Sequence, residues 1–364
     1  MVRTSARETL PFLRVRGSHQ EIGRAIGETF RTRIQTVVGE TIAELHEQGA
    51  DLQVLRSQLE PNLRVVERVY PGLLQELSSI AEAAQAPFDI LFHLNNYGYR
   101  PTSVPKLLLS GETYQDNLES EGSSGRCTSV ASRGKGKVVV GHTEDSTPIA
   151  LEDLFLLDAT LVDPSQTTSP SDIRFLALNY VYTLAGCAAS LNQHGLVMVV
   201  DSLPELEFKS GVSRDFTTRA LLHCQTIDEA IDELQSMERS SGGSCLFAQG
   251  DRITEVEFTP SKMAVIVGGA QAVHTNHYLD LEMSALAREP RVDSVMRLNR
   301  ALELVNPNMS IEDMKRLLSD RQNFPHSICR ERTIGAFIAD TAAKQVTVCW
   351  GEPASATWTT YHFT

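Results

Sequence analysis

The chain has 364 residues, 41% hydrophobic and 22% charged, which places it with ordinary globular proteins and excludes a disordered or fibrous chain. Its 33 basic against 46 acidic side chains give a net charge of −13 without a basic cluster, so nucleic acid is not an expected partner. No apolar segment follows the N-terminus and no run of about eighteen apolar residues occurs, so neither a signal peptide nor a membrane contact is expected and the expected location is cytoplasmic.

Leu10 to Arg16 alternates as a first strand, closed by Gly17 and Ser18. Ser18 with Glu21 three residues on matches a capping box, and Ile22, Ala25, Ile26, Phe30, Ile34, Val37 and Val38 recur at helical spacing. Leu52, Leu55, Leu59, Leu63, Val66 and Val69 continue the helical pattern up to Pro71, and a second stripe runs from Leu73 to Ala84 before Pro87. Phe88 to Tyr99 reads as one more short helix. Residues 110–126 then hold almost no large apolar groups and several acids, which predicts an exposed linker.

After the linker the period changes to two. Cys127 to Ser132, the Gly134-Lys135-Gly136 turn and Val138-Val139-Val140 predict a hairpin, and strands are expected at 137–142, 154–162 and 174–179, with a loop over 163–172. A second hairpin, 184–191 with 195–200, is expected around Asn192-Gln193-His194-Gly195. Helices at 213–224 and 226–238 follow, the latter capped by Thr226 with Glu229 at the capping-box position. Strands return at 244–249, 252–258, 262–267 and 271–275, then helices at 291–304 and 310–319, then strands at 333–339, 344–350 and 356–363. This order implies an α+β fold with two packed sheets and helices outside.

Cys127 stands where the linker stops and a strand begins. If the Arg126–Cys127 bond is cut, Cys127 gains an α-amine beside its own thiol, and an α-amine with a reference pKa of about 7.7–8.0 can act as general base near neutrality. Nucleophile and base then share one residue. The other reading is an ordinary buried strand cysteine, since free cysteine is among the most buried residue types. The six cysteines, Cys127, Cys187, Cys224, Cys245, Cys329 and Cys349, lie singly, so neither a zinc knuckle nor a disulfide framework is indicated, and no cofactor is expected.

Gly141-His142-Thr143-Glu144-Asp145-Ser146 ends the Cys127 hairpin and should bring Asp145 to the thiol's end of the sheet; its alternative is a loop of solvated acids. In His274-Thr275-Asn276-His277-Tyr278, the Asn276 amide is suited to donate to an oxyanion. A metal site built from His274, His277, His142 and Glu144 or Asp145 competes with that reading, as does a plain Asn-rich turn. Arg330, ahead of a late strand, could hold a carboxylate or carbonyl, or be simply exposed.

Together these stretches resemble the cysteine N-terminal-nucleophile hydrolases, in the branch of acyl-CoA:6-aminopenicillanate acyltransferase and β-alanyl-dopamine hydrolase. The likeness begins at Gly17-Ser18-His19-Gln20-Glu21-Ile22-Gly23-Arg24-Ala25-Ile26-Gly27 and continues through Cys127-Thr128-Ser129 and Gly141-His142-Thr143-Glu144-Asp145. Asn192-Gln193-His194-Gly195-Leu196, Phe216-Thr217-Thr218-Arg219-Ala220-Leu221-Leu222 and Asn276 follow in the family's order. The resemblance implies a four-layer αββα fold, made as a precursor that cuts itself into an α chain, 1–126, and a β chain, 127–364, which stay associated as one structural unit. It makes Cys127 the nucleophile, Asn276 an oxyanion donor and Asp145 a supporting carboxylate of an amide hydrolase or acyltransferase acting on a small-molecule amide; the alternatives are an acyl-CoA-dependent acyltransferase, a metal-dependent hydrolase and a binding protein that never cleaves. The acyl group is expected to be β-alanyl or another short amino-acyl group with Glu144 as partner of its ammonium. Ser129, Asn192 and Arg330 are further substrate-pocket candidates, and a homo-oligomer is left open. Where the family commonly has glycine before the cut this chain has Arg126, whose side chain constrains the turn that an N-to-S acyl shift needs.

Overall fold

The expected first strand forms as β1 (Phe12–Gly17), and Ser18 closes a full capping box with Glu21 at the start of α1 (His19–Thr29). The computed structural model describes residues 9–96, 127–162 and 172–363. The predicted linker 110–126, with Arg126, lies outside these residues, as does the end of the helix predicted over 88–99.

The helical period that runs past Phe30 is split there into α1 and α2 (Arg31–Glu47). Two longer helices follow, α3 (Leu52–Val69) and α4 (Pro71–Ala84), then α5 (Phe88–Leu94). Helix α1 lies close against α4 because a Cβ at Gly23 would meet the Glu76 carbonyl oxygen at 2.2 Å, and one at Gly27 the Ile80 carbonyl at 2.5 Å. Two of the glycines in the opening motif therefore serve backbone approach.

The rest of the chain supplies most of two sheets. The eight-stranded sheet runs β1, β4 (Leu154–Leu161), β5 (Ile173–Tyr180), β6 (Ala189–Asn192), β7 (Val197–Asp201), β8 (Gly243–Gln249), β9 (Arg252–Phe258) and β10 (Met263–Val267). The six-stranded sheet runs β11 (Gln271–His274), β2 (Thr128–Gly134), β3 (Lys137–Asp145), β12 (Thr333–Asp340), β13 (Gln345–Trp350) and β14 (Trp358–His362). All pairings are antiparallel except that of β1 with β4, which ties the N-terminal segment into a sheet made by the C-terminal one.

Helices α6 (Arg214–Leu221) and α7 (Ile227–Ser236) join α1 to α5 on the outer face of the eight-stranded sheet around Leu77, Phe155, Phe175, Phe216 and Phe247. Between the sheets Val138, Val140, Leu178, Val199, Leu246 and Phe337 form a second core. Beneath the six-stranded sheet lie α9 (Val292–Leu304) and α10 (Ile311–Leu318), packed on Val139, Met314 and Ile338. The layers are thus helix, sheet, sheet, helix. No helix among the described residues is long and apolar enough to cross a membrane.

Departures from the expected elements have local causes. The first strand of the second hairpin begins at Ala189 rather than 184 because residues up to Cys187 turn, with Gly186 at φ +98°. The 213–224 helix stops at Leu221 and the 226–238 helix at Ser236. A further short helix, α8 (Leu281–Leu286), starts where the Asp280 carboxylate accepts from the amides of Glu282 and Met283.

Candidate active site

Alternation along the central strands decides which side chains meet. In β3, Val138 and Val140 point between the sheets while Val139 points to the outer helices, so His142 and Glu144 face the interior and Thr143 and Asp145 face the helices. Strand β2 pairs Thr128 with Thr143 and Ser129 with His142, which sets Cys127 opposite Glu144. The sequence-predicted hairpin thus delivers its thiol and carboxylate to one point.

Cys127 is 3% exposed and its Sγ lies 3.6 Å from Glu144 Oε2. Tyr180 OH donates to Glu144 Oε1 at 2.7 Å, and His142 Nε2 lies 3.0 Å from Glu144 Oε2. The other imidazole nitrogen, Nδ1, is 3.0 Å from Ser129 Oγ. Burial would depress the His142 pKa, but the hydrogen bond and charge of Glu144 hold it above the ordinary value. For Cys127, burial is the main cause of a pKa well above that of a free thiol, and the carboxylates of Glu144, Asp201 and Asp145 add to it; the Asp145 backbone amide opposes them.

Asp145 reaches the same end of the sheet but on its other face. Arg330 Nε donates to Asp145 Oδ2 at 2.7 Å and Arg330 Nη1 to Asp293 Oδ2 at 2.9 Å. Arg330 is only 4% exposed, so the exposed-loop reading gives way to a buried guanidinium that holds two of the chain's own carboxylates. Arg297, fully buried on α9, links this group to Cys127: Nη1 donates to the Cys127 carbonyl and to Thr128 Oγ1, and Nη2 donates to Asn276 Oδ1 at 2.8 Å. Burial would raise the Asp293 carboxyl, yet Arg297, Arg291 and Arg330 hold it well below the usual carboxylate range. Asn276 in turn donates from Nδ2 to the Ser202 carbonyl at 3.0 Å.

Asn192 is a correction. It sits on the helix-facing side of β6, where its Oδ1 accepts from the amides of His194 and Leu196 and its Nδ2 donates to the Cys224 carbonyl. With Gly195 at φ +77°, it builds its own turn, on the face of the sheet opposite the thiol. Glu144, expected as the partner of an acyl ammonium, lies beside the thiol with both of its oxygens already engaged within the chain.

The histidines of the competing metal reading also part company. His274 Nε2 lies 2.8 Å from Glu257 Oε1, and His277 Nδ1 2.8 Å from Ser294 Oγ. Among the described residues, the donor atoms that converge are those of Cys127, His142 and Glu144, all within 4.8 Å of one another. Two other motifs of the sequence meet far from the thiol: Glu76 binds His19 Nδ1 at 2.7 Å and accepts from Arg219 at 2.8 and 3.1 Å.

Sequence reasoning missed Arg297, Asp293, Tyr180 and the carboxylates that surround His274 between the sheets: Asp201, Glu255 and Glu257. An Asp and an Arg four apart, on the helix face that also carries Ala301, was a readable sign for the α9 pair.

Residues 132–355, a stretch that begins just after Cys127, match the family model of acyl-coenzyme A:6-aminopenicillanic acid acyl-transferase. The chain belongs to that family. Within this acyl-transferase family setting, a curated relative is the beta-alanyl-dopamine/carcinine hydrolase of Drosophila melanogaster, 23% identical over 380 residues that cover 96% of this chain and 94% of the relative. A crystal structure of a conjugated bile acid hydrolase variant from Clostridium perfringens overlaps at a TM-score of 0.38 and 12% identity, covering 65% of this chain and 97% of that one.

Proposed function

We propose that the chain is a self-cleaving N-terminal-nucleophile enzyme that opens a small N-acyl amide through a thioester on Cys127. The observation that carries this is the place of Cys127: directly before the interior strand β2, thiol between the sheets, carbonyl gripped by Arg297.

In the self-cleavage step Cys127 Sγ attacks the carbonyl carbon of residue 126. The new S–C bond replaces the C–N bond, the nitrogen keeps its electron pair and takes the thiol proton, and water then hydrolyses the thioester to a carboxylate on Arg126. The freed α-amine meets a need that the burial creates, since the thiol is held protonated and both nitrogens of the neighbouring His142 are already engaged. In turnover the amine accepts the thiol proton, Sγ attacks the acyl carbonyl, and the α-ammonium returns a proton to the departing amine. Water or an amine acceptor then releases the acyl group. Asn276, held through Oδ1 by Arg297, is the proposed oxyanion donor. Asp145, whose Oδ1 has no hydrogen-bond partner among the described residues, is the proposed anchor for the new ammonium.

A β-alanyl or similar amino-acyl amide is the favoured substrate, supported by the curated relative's name. The family model's name favours a second reading, acyl-CoA as acyl donor. The denatured mass spectrum tests the first step: a cut after Arg126 leaves 126 and 364 − 126 = 238 residues, the larger beginning at Cys127. The Cys127→Ala chain should stay whole and fail to hydrolyse a β-alanyl amide; turnover by that variant would remove the assignment. Release of CoA from an acyl-CoA only when an amine acceptor is present would move the reaction to the acyltransferase reading.

A further inference from the structure

The layer between the sheets is apolar at one end and strongly acidic at the other. On β7, Val197 and Val199 point into the inner core, so Asp201 continues that face; on β9, Ile253 does so, followed by Glu255 and Glu257. Strands β7 and β9 lie against β2 across the layer, and the Asp201 carboxylate is close enough to Cys127 to raise its thiol pKa. A chain of contacts fixes the same neighbourhood, since Arg297 holds both the Cys127 carbonyl and Asn276, and Asn276 donates to the carbonyl of Ser202, next to Asp201.

These acids are not equally satisfied. Glu257 accepts from the amides of Leu279 and Asp280 and lies 2.8 Å from His274 Nε2. Asp201 is 0% exposed, yet among the described residues neither carboxylate oxygen has a hydrogen-bond partner, and its ion pair is with His274, whose Nδ1 lies 3.5 Å from Oδ2. Glu255, 3% exposed, accepts from Ser244 through one oxygen, while among the described residues Oε2 has no hydrogen-bond partner. Buried carboxylate oxygens are costly to leave unmet, so this end of the layer suits a ligand with several N–H donors and a positive charge. Glu144 does not offer that, because Tyr180 and His142 occupy its oxygens.

We infer that Asp201, with Glu255 behind it, receives a primary ammonium on the acyl group that Cys127 attacks. This rests on the amide-opening reading above and names its acyl specificity. Asp201 is a specificity residue here, and Glu144 acts on the thiol instead.

The test uses the full processed protein with two amides of histamine, one β-alanyl and one butanoyl, which differ by an ammonium against a methyl group. Asp201→Asn should lower kcat/KM for the β-alanyl amide by about tenfold to a hundredfold, the usual weight of a charged hydrogen bond, and leave the butanoyl amide within about threefold. Equal loss on both amides, or a wild type that prefers the butanoyl amide, overturns the inference. If Asp201→Asn does not fold, Asp201→Glu advances the carboxylate by one methylene and should shift preference from β-alanyl towards glycyl; an unchanged preference overturns it. If the wild type opens neither amide, the amide reading fails, and the subsite is then decided by calorimetry with free β-alanine. Binding to wild type that Asp201→Asn abolishes supports it, and no difference between the two proteins overturns it.

Discussion

The thiol of Cys127 stands 3.6 Å from Glu144 Oε2, directly across the β2–β3 ladder. A thiol facing an anion at that distance is held in its protonated form, so the arrangement disfavours a free thiolate. In the proposed cycle the base that takes its proton is the α-amine produced by the cut.

Replacing Glu144 by Gln removes a negative charge next to Sγ, so the thiol pKa should fall. Burial, the larger cause of its elevation, remains, so it should stay above the value of a free cysteine. The rate of alkylation by iodoacetamide followed against pH should show the inflection at lower pH in Glu144→Gln than in the parent. An inflection that stays in place or moves up would mean that Glu144 does not act on the thiol.

Arg297 touches Cys127, Thr128, Asn276 and Asp293 at once. Arg297→Met should cost about 3–5 kcal/mol, as breaking a buried charge network does, and lower the urea midpoint. Arg297→Lys keeps the charge but loses the forked geometry. It should therefore fold, with a smaller drop, while cutting itself several times more slowly on a time course followed by gel.

The double layer of sheets explains what could be read in the chain and what could not. The hairpins and the layer order follow from period-two alternation and turn residues visible in sequence, whereas the carboxylate that meets Cys127 is Glu144 and not the expected Asp145, which falls on the other face of β3. The acids of Arg252-Ile253-Thr254-Glu255-Val256-Glu257-Phe258 follow the same alternation, but the usual reading assigns charged positions to solvent. Strand β9 is covered on both faces: Val256 and Phe258 meet the helices, while Glu255 and Glu257 meet the other sheet. Arg330 was legible as a residue able to hold a carboxylate, but its partners were not, since only the tertiary fold brings Asp145 and Asp293 to it.

Away from the thiol, Glu76 anchors His19 of the opening motif to Arg219 of the Phe216–Leu222 stretch. Burial would raise its pKa, but the charges of Arg219 and His19 bring it down to about 2 from an ordinary 4.5. A depressed carboxyl adds stability that is present above its unfolded value and is lost as pH falls towards the folded one. The urea midpoint should thus decline between about pH 4.5 and pH 2 in the parent. Glu76→Gln, which strands a buried Arg219, should be less stable at neutral pH by about 3–5 kcal/mol and flatter across that window. Identical slopes in the two proteins would show that other carboxyls carry the acid limb.

Cys127, His142 and Glu144 offer three donor atoms within 4.8 Å of one another, a set that zinc accepts. In an N-terminal-nucleophile enzyme such binding would compete with catalysis, because the thiolate cannot be both ligand and nucleophile. Dialysis against a chelator should therefore leave the turnover of a β-alanyl amide unchanged, whereas micromolar Zn²⁺ should depress it and chelator should restore it. His142→Ala should weaken that inhibition by about tenfold or more, as loss of a metal-site group typically does. A metal-dependent hydrolase would give the opposite sign, with activity lost on chelation and regained with zinc, and the thiol would then be a ligand rather than the attacking atom.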